Sequence, residues 1–159
     1  MKVVSLLISL FLAIPLFAAG APEEESKVVL HLLDHTGKAK AKGRFWIDWN
    51  KSWRGIVQSR KVTGKEADAI IALLKKSLQP DEATNFCGHD PIYGIVATEE
   101  NGKQLETSLC FKCVTWVRPG KRLVISGKPG ADNPLAVELR KVIEIPQELR
   151  KKNPETPHP

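Results

Sequence analysis

Residues 92–113 read IYGIVATEENGKQLETSLCFKC. Two β-prone runs, Ile92 to Thr98 and Lys103 to Phe111, flank Glu99-Glu100-Asn101-Gly102. Asn-Gly is the preferred pair for a two-residue type I′ hairpin loop, because both central positions need positive φ. Taking Asn101-Gly102 as that loop sets Tyr93 opposite Cys110 and Asp90 opposite Cys113. Leu105, Thr107, Leu109 and Phe111 then point one way and Glu106, Ser108 and Cys110 the other. The reading is a hairpin with one buried and one polar face. It also carries Cys87-Gly88-His89-Asp90 back to the end where Cys110-Phe111-Lys112-Cys113 lies.

Working outward, Ala67, Ile70, Ile71, Leu74 and Leu78 recur at helical spacing, which predicts a helix over 64–78. Thr63 and Glu66 can form its capping box, and Pro80 ends it. Upstream, Val28 to Leu33 reads as a strand. Phe45-Trp46-Ile47 and Ile56-Val57 read as β-prone runs around a turn at Asn50-Lys51-Ser52. Downstream, Thr115-Trp116-Val117 and Arg122 to Ile125 form a further pair around Pro119-Gly120. Asp132-Asn133-Pro134 opens a second helix with Leu135, Leu139, Val142 and Ile143 on its apolar side. Strands and helices do not alternate strictly, so the expected class is α+β. It comprises a small antiparallel sheet with a central hairpin and two helices, in one domain over 27–146. Residues 147–159 read as a Pro-rich disordered tail.

The 159 residues carry 24 Lys+Arg against 18 Asp+Glu, a length that suits one domain. Lys2, the apolar run Val3 to Phe17 and the small residues Ala18-Ala19-Gly20-Ala21 have the pattern of a secretory signal peptide over residues 1–20. The run is short for a membrane span and Pro15 falls near its end. A secreted or periplasmic product is expected, with no transmembrane segment in the mature chain and in a compartment where disulfides persist.

Cys87, His89, Cys110 and Cys113 can converge at the open end of the hairpin. Three chemistries suit them. A disulfide from Cys87 to Cys110 or Cys113 would staple a small exported domain. Three thiolates and an imidazole are a tetrahedral Zn²⁺ set, and the odd cysteine count favours metal. Cys110-x-x-Cys113 has the spacing of thiol-redox motifs, although here it ends a strand and needs a turn. The expected cofactor is accordingly none or zinc.

Cys87, Pro91, Gly94, the Asn101-Gly102 hairpin, Cys110, Phe111 and Cys113 together resemble a group of small exported bacterial proteins of unknown function with a Cys…Pro-x-x-Gly…Cys-Phe-x-Cys pattern. The resemblance spans residues 64–113, and Cys-Phe-x-Cys is its most specific part. It implies a bacterial, exported protein and no particular activity. The group often has a His just before that Gly, where this chain has Tyr93.

Residues 36–65 hold nine basic residues and a single acid, Asp48, while the rest of the mature chain is slightly acidic. Lys38, Lys40, Lys42, Arg44 and Arg54 are interleaved with Trp46, Trp49 and Trp53. Basic groups among aromatics can hold a polyanion by charge and stacking. Outside the cell that means an anionic polymer or envelope surface rather than nucleic acid. The bland alternative is an alternating strand, aromatic residues inward and Lys outward; Lys38-Ala39-Lys40-Ala41-Lys42 would place three Lys on one strand face. His31 and His35 are four apart, but a strand running into a turn at Gly37 breaks any shared site.

No Gly-x-Ser-x-Gly, phosphate loop, His-Glu-x-x-His or dinucleotide fingerprint is present, so the reading leans away from an enzyme. It favours an exported binding or structural module stabilised at the cysteine cluster. The alternative is a periplasmic thiol-redox or metal-handling protein acting through Cys110-x-x-Cys113.

Overall fold

The computed structural model describes residues 25–37, 39–47, 52–84 and 88–150. Residues 1–20, read as a signal peptide, and Cys87 lie outside them, as do Lys38 and Trp49.

Eight strands form a single antiparallel sheet. They are β1 (Lys27–Asp34), β2 (Arg44–Trp46), β3 (Trp53–Thr63), β4 (Leu78–Glu82), β5 (Tyr93–Thr98), β6 (Gln104–Cys110), β7 (Thr115–Arg118) and β8 (Lys121–Ile125). Their order is β2-β3-β1-β5-β6-β7-β8-β4. Against it stand helices α1 (Gly64–Ser77), α2 (Pro134–Val142) and the four-residue α3 (Gln147–Arg150). The expectation of a small sheet balanced by two helices is therefore corrected: the sheet dominates and the helices are accessories to one face. The physical reason is β1. It pairs with β3 on one side and β5 on the other, fusing two local hairpins into one sheet.

The central hairpin forms one residue out of the expected register. Tyr93 pairs with Leu109, not Cys110, and Thr98 with Gln104. Gly102 has φ 77°, whereas Asn101 does not enter the positive-φ region. Glu99 N–H donates to Lys103 O at 2.9 Å and Gly102 N–H to Glu99 O at 2.8 Å. The loop is thus a turn over 99–102 closed by a left-handed glycine, the three-residue alternative to type I′. Asn101 Oδ1 caps Lys103 N–H at 2.9 Å, a local bond that helps keep Asn101 out of the left-handed region. The expected split into a buried and a polar face also fails along β6: Thr107, Ser108, Leu109 and Cys110 are all buried. Chain covers both faces of the sheet there.

On one face lies the main core. Val28, Leu30 and Leu32 of β1 meet Ile95, Leu109, Trp116 and Ile125, and on these sit Ala67, Ile70, Ile71 and Leu74 of α1 and Leu135 and Leu139 of α2. The helical stripe was read correctly except at its end. Leu78 has left the helix for β4, an edge strand that tolerates Pro80 because its missing N–H faces no partner. Thr63 holds the N-cap position of α1 without a side-chain cap bond, so the expected capping box does not form. Asn133 does cap α2, accepting from Leu135 N–H at 3.1 Å. Residues 147–150, placed in the tail by the sequence, form α3 with Leu149 buried in the main core.

The opposite face carries a smaller cluster of Leu33, Phe45 and Ile47. A register shift between Leu32 and Leu33 bends the sheet so that β2 folds back over β1, β5 and β6.

Candidate functional site

One transverse row of residues organises the outer face. Ser59 on β3 pairs with His31 on β1, His31 with Gly94 on β5, and Gly94 with Ser108 on β6. The strap of residues 44–47 crosses this row. The Phe45 ring packs on His31 in a tilted contact with centroids 5.3 Å apart and also lies on Gly94, while Ser108 Oγ donates to Ile47 O at 3.0 Å. His31 Nδ1 is 2.7 Å from Ser59 Oγ, and burial lowers the pKa of the His31 ring.

His89 is brought to the end of this row. Its Nε2 lies 2.8 Å from Ser108 Oγ and its Nδ1 2.9 Å from Thr115 Oγ1. Because the Ser108 proton is directed at Ile47 O, Ser108 accepts from Nε2–H, and Nδ1 is left to accept from Thr115. The result is a one-directional relay from Thr115 through His89 and Ser108 to the Ile47 carbonyl. Ser108 and Thr115 are fully buried, and their hydroxyls are committed to this network. Both ring nitrogens of His89 face hydroxyls in this structure, so a metal ligand bond from His89 would require one hydroxyl to move aside. Among the described residues no three ligating side chains cluster.

The cysteines separate. Cys110 ends β6 as a buried thiol outside any disulfide, whereas Cys113 is disulfide-bonded. Cys113 sits in the turn that joins β6 to β7, its Sγ 2.9 Å from Gly88 O. Cys110 and Cys113 are therefore not bonded to each other. Val114, next in that turn, has φ 47°, a strained conformation for a β-branched residue. The turn that a paired Cys-x-x-Cys would need is present but is used to reverse the chain.

The basic aromatic segment is not the alternating strand face expected. Residues 39–43 form a loop, with Lys40 and Lys42 exposed but off any strand. The cause is Asp34. Its Oδ1 accepts from Thr36 N–H, Thr36 Oγ1 and Gly37 N–H, and its Oδ2 from Ala39 N–H, all within 3.0 Å. Burial of Asp34 would raise its pKa, but these bonds together outweigh it and leave the pKa lowered. The Asp34-x-Thr-Gly signal for such a turn is legible in sequence. Arg44 lies on the face of Trp53, and Arg54 is bonded to Asp90 at 3.2 Å. Arg54 is thus already paired with a carboxylate, whereas Arg44 meets a neutral ring. His35 lies near Asp90, Asp34 and Arg54; burial, the largest influence, and Arg54 lower its pKa against the pull of the two carboxylates.

Trp46 is different. It pairs with Trp53 across the β2–β3 ladder yet is 57% exposed, an isolated large apolar surface among the described residues. It stands at the mouth of an open cavity of about 490 Å³ lined by Glu106, Thr107, Val117, Arg118, Pro119 and Gly120. Sequence reasoning selected Trp46 but missed Glu106 and Arg118, which come from strands remote in the chain. No helix among the described residues is long and apolar enough to cross a membrane. No protein-family model matches this chain, and no curated protein and no solved structure matches it.

Proposed function

We propose that this chain is an exported, non-enzymatic binding module whose ligand is an anionic glycan polymer, held at Trp46 and the cavity beside it. The observation that carries this reading is the exposure of Trp46 over that cavity. A rigid indole left in water costs free energy and is a suitable platform for the apolar face of a sugar ring. Glu106 and Arg118 in the lining supply hydrogen bonds to hydroxyls and a counter-charge to carboxylates, the few polar groups a binding cavity needs. Lys40, Lys42 and Arg44 are exposed and add long-range attraction for a polyanion.

Export follows from the signal pattern over residues 1–20. In an oxidising compartment Cys87 is the partner we assign to Cys113, as the chain has three cysteines and Cys110 lies outside the bond. The bond ties the segment before β5 to the β6–β7 turn, a structural role. A thiol-redox role is disfavoured by Cys110, whose complete burial denies a partner disulfide the access that exchange requires.

Affinity electrophoresis of the exported protein in gels containing polygalacturonate or neutral amylose tests the proposal. Retardation by polygalacturonate, reduced at least tenfold in Trp46→Ala and weakened by salt, is the expected result. Unchanged retardation of Trp46→Ala, or equal retardation by amylose, would overturn it.

A further inference from the structure

A second cavity lies on the other face of the sheet. The β6–β7 ladder holds only at Leu109–Trp116 and Cys110–Thr115. Beyond it the Thr107 hydroxyl is wedged between the strands, donating to Val117 O at 2.7 Å and accepting from Val117 N–H at 3.2 Å. The strands splay from there, and a cavity of about 240 Å³ opens toward α1. Its floor is apolar, with Leu74, Leu78, Leu105 and Trp116. Its rim is cationic, with Lys75, Lys103 and Arg118.

The charges on that rim do not cancel. Glu99, its sole carboxylate, is taken by Lys75 at 2.5 Å. Neither Lys103 nor Arg118 has a carboxylate partner among the described residues, and Arg118 is held over the Trp116 ring, 4.9 Å from its centroid. Two uncompensated cations at the mouth of an apolar slot are complementary to an anionic head on a short apolar tail. The volume is below the roughly 300–1,000 Å³ of most drug-sized sites, which suits one short alkyl chain.

We infer that this cavity binds a monomeric alkyl carboxylate, with its tail against Leu74, Leu78 and Trp116 and its carboxylate at Lys103 and Arg118. Arg118 lines both cavities, but Trp46 lies on the opposite face and lines only the other one, so the two readings are separated at Trp46.

The test follows the Trp116 indole N–H, which donates to Gln79 O and Val124 O, by two-dimensional NMR of the full chain. Octanoate, 1-octanol and acetate are the probes. Octanoate should shift the Trp116 signal saturably, octanol several-fold more weakly, and acetate not at all. Lys103→Glu, an exposed substitution, should weaken octanoate by about fivefold, the scale of a partly exposed charge pair, and leave octanol unchanged. Trp46→Ala should leave octanoate binding as it is. Absence of a saturable octanoate shift, equal binding of octanol and octanoate, or indifference to Lys103→Glu would each overturn the inference. Loss of polygalacturonate binding in Trp46→Ala with octanoate binding retained separates this site from the glycan site.

Discussion

The Phe45 ring occupies the space above Gly94 that any side chain would need: a Cβ at Gly94 would stand 2.7 Å from Phe45 Cδ1. Phe45 belongs to β2, within the strap of residues 44–47 that crosses three strands, and Gly94 is the low point in the row it crosses. The strap in turn carries Trp46 to the surface and Ile47 to Ser108. The absence of a side chain at one position therefore places the candidate ligand platform.

Gly94→Ala is expected to lose about 1–3 kcal/mol of stability through overpacking. The loss should shrink when Phe45 is already Ala, because the clash partner has gone. A double-mutant cycle by urea unfolding measures this, and additive losses would mean that the strap is not held by this contact.

His31 and His35 both have pKa values lowered by burial. The folded state then binds a proton less readily than the unfolded chain, where a histidine titrates near 6.5. Stability is full above that value and falls as pH drops through it toward the lower folded values. Urea midpoints between pH 8 and pH 5 should decline over this window, and less steeply in His35→Leu. A decline of the same steepness in that variant would remove His35 from the account.

Asp34 has the opposite chemistry and a lower window. Its folded pKa is lowered, so its contribution is complete above the ordinary carboxylate value near 4 and is lost as pH falls below it. Asp34→Asn replaces one acceptor oxygen by a donor facing backbone N–H groups. It should destabilise by about 1–3 kcal/mol and flatten the acid limb of the stability profile below pH 4. The same unfolding series extended to pH 2 reads this.

Local signals in the sequence were legible where the chain decides locally. The α1 stripe through Ala67, Ile70, Ile71 and Leu74, the Asn133-Pro134 start of α2 and the Pro119-Gly120 hairpin all depend on neighbours within a few residues. The central hairpin was found but set one residue out, since Asn101 has two ways of serving a turn and only the φ of each residue separates them. The size of the sheet was not legible. It depends on β1 accepting β3 and β5 as neighbours at separations of about 30 and 65 residues, and no periodicity records such pairings. The site divided in the same way. Trp46 was visible as an aromatic among cations, whereas its exposure, and the arrival of Glu106 and Arg118 beside it, are products of the strap and the splayed strands.

Cys113→Ser should cost about 3 kcal/mol, the chain-entropy value for opening a loop of roughly 25 residues. Cys110→Ala should cost less, about 1 kcal/mol for a small buried side chain. Iodoacetamide should label one thiol per chain, and only after unfolding. Rapid labelling of the native protein would contradict the burial of Cys110, and a Cys113→Ser variant as stable as the wild type would remove the bond from the stability account.

Thr107 is the residue on which the two cavities depend. Its hydroxyl satisfies both polar groups of the Val117 backbone where the ladder has parted, and it is 2% exposed, so water does not substitute for it. Thr107→Val preserves the shape and deletes both bonds, leaving a buried donor and a buried acceptor unmet at about 1–3 kcal/mol for each group. Thr107→Ser keeps the hydroxyl and loses one methyl, about 1 kcal/mol. Valine is therefore expected to be the more damaging change even though it is the closer match in volume. If thermal unfolding ranks serine below valine, the wedge is held by packing and not by hydrogen bonding. The splay would then be a property of the β7–β8 hairpin itself.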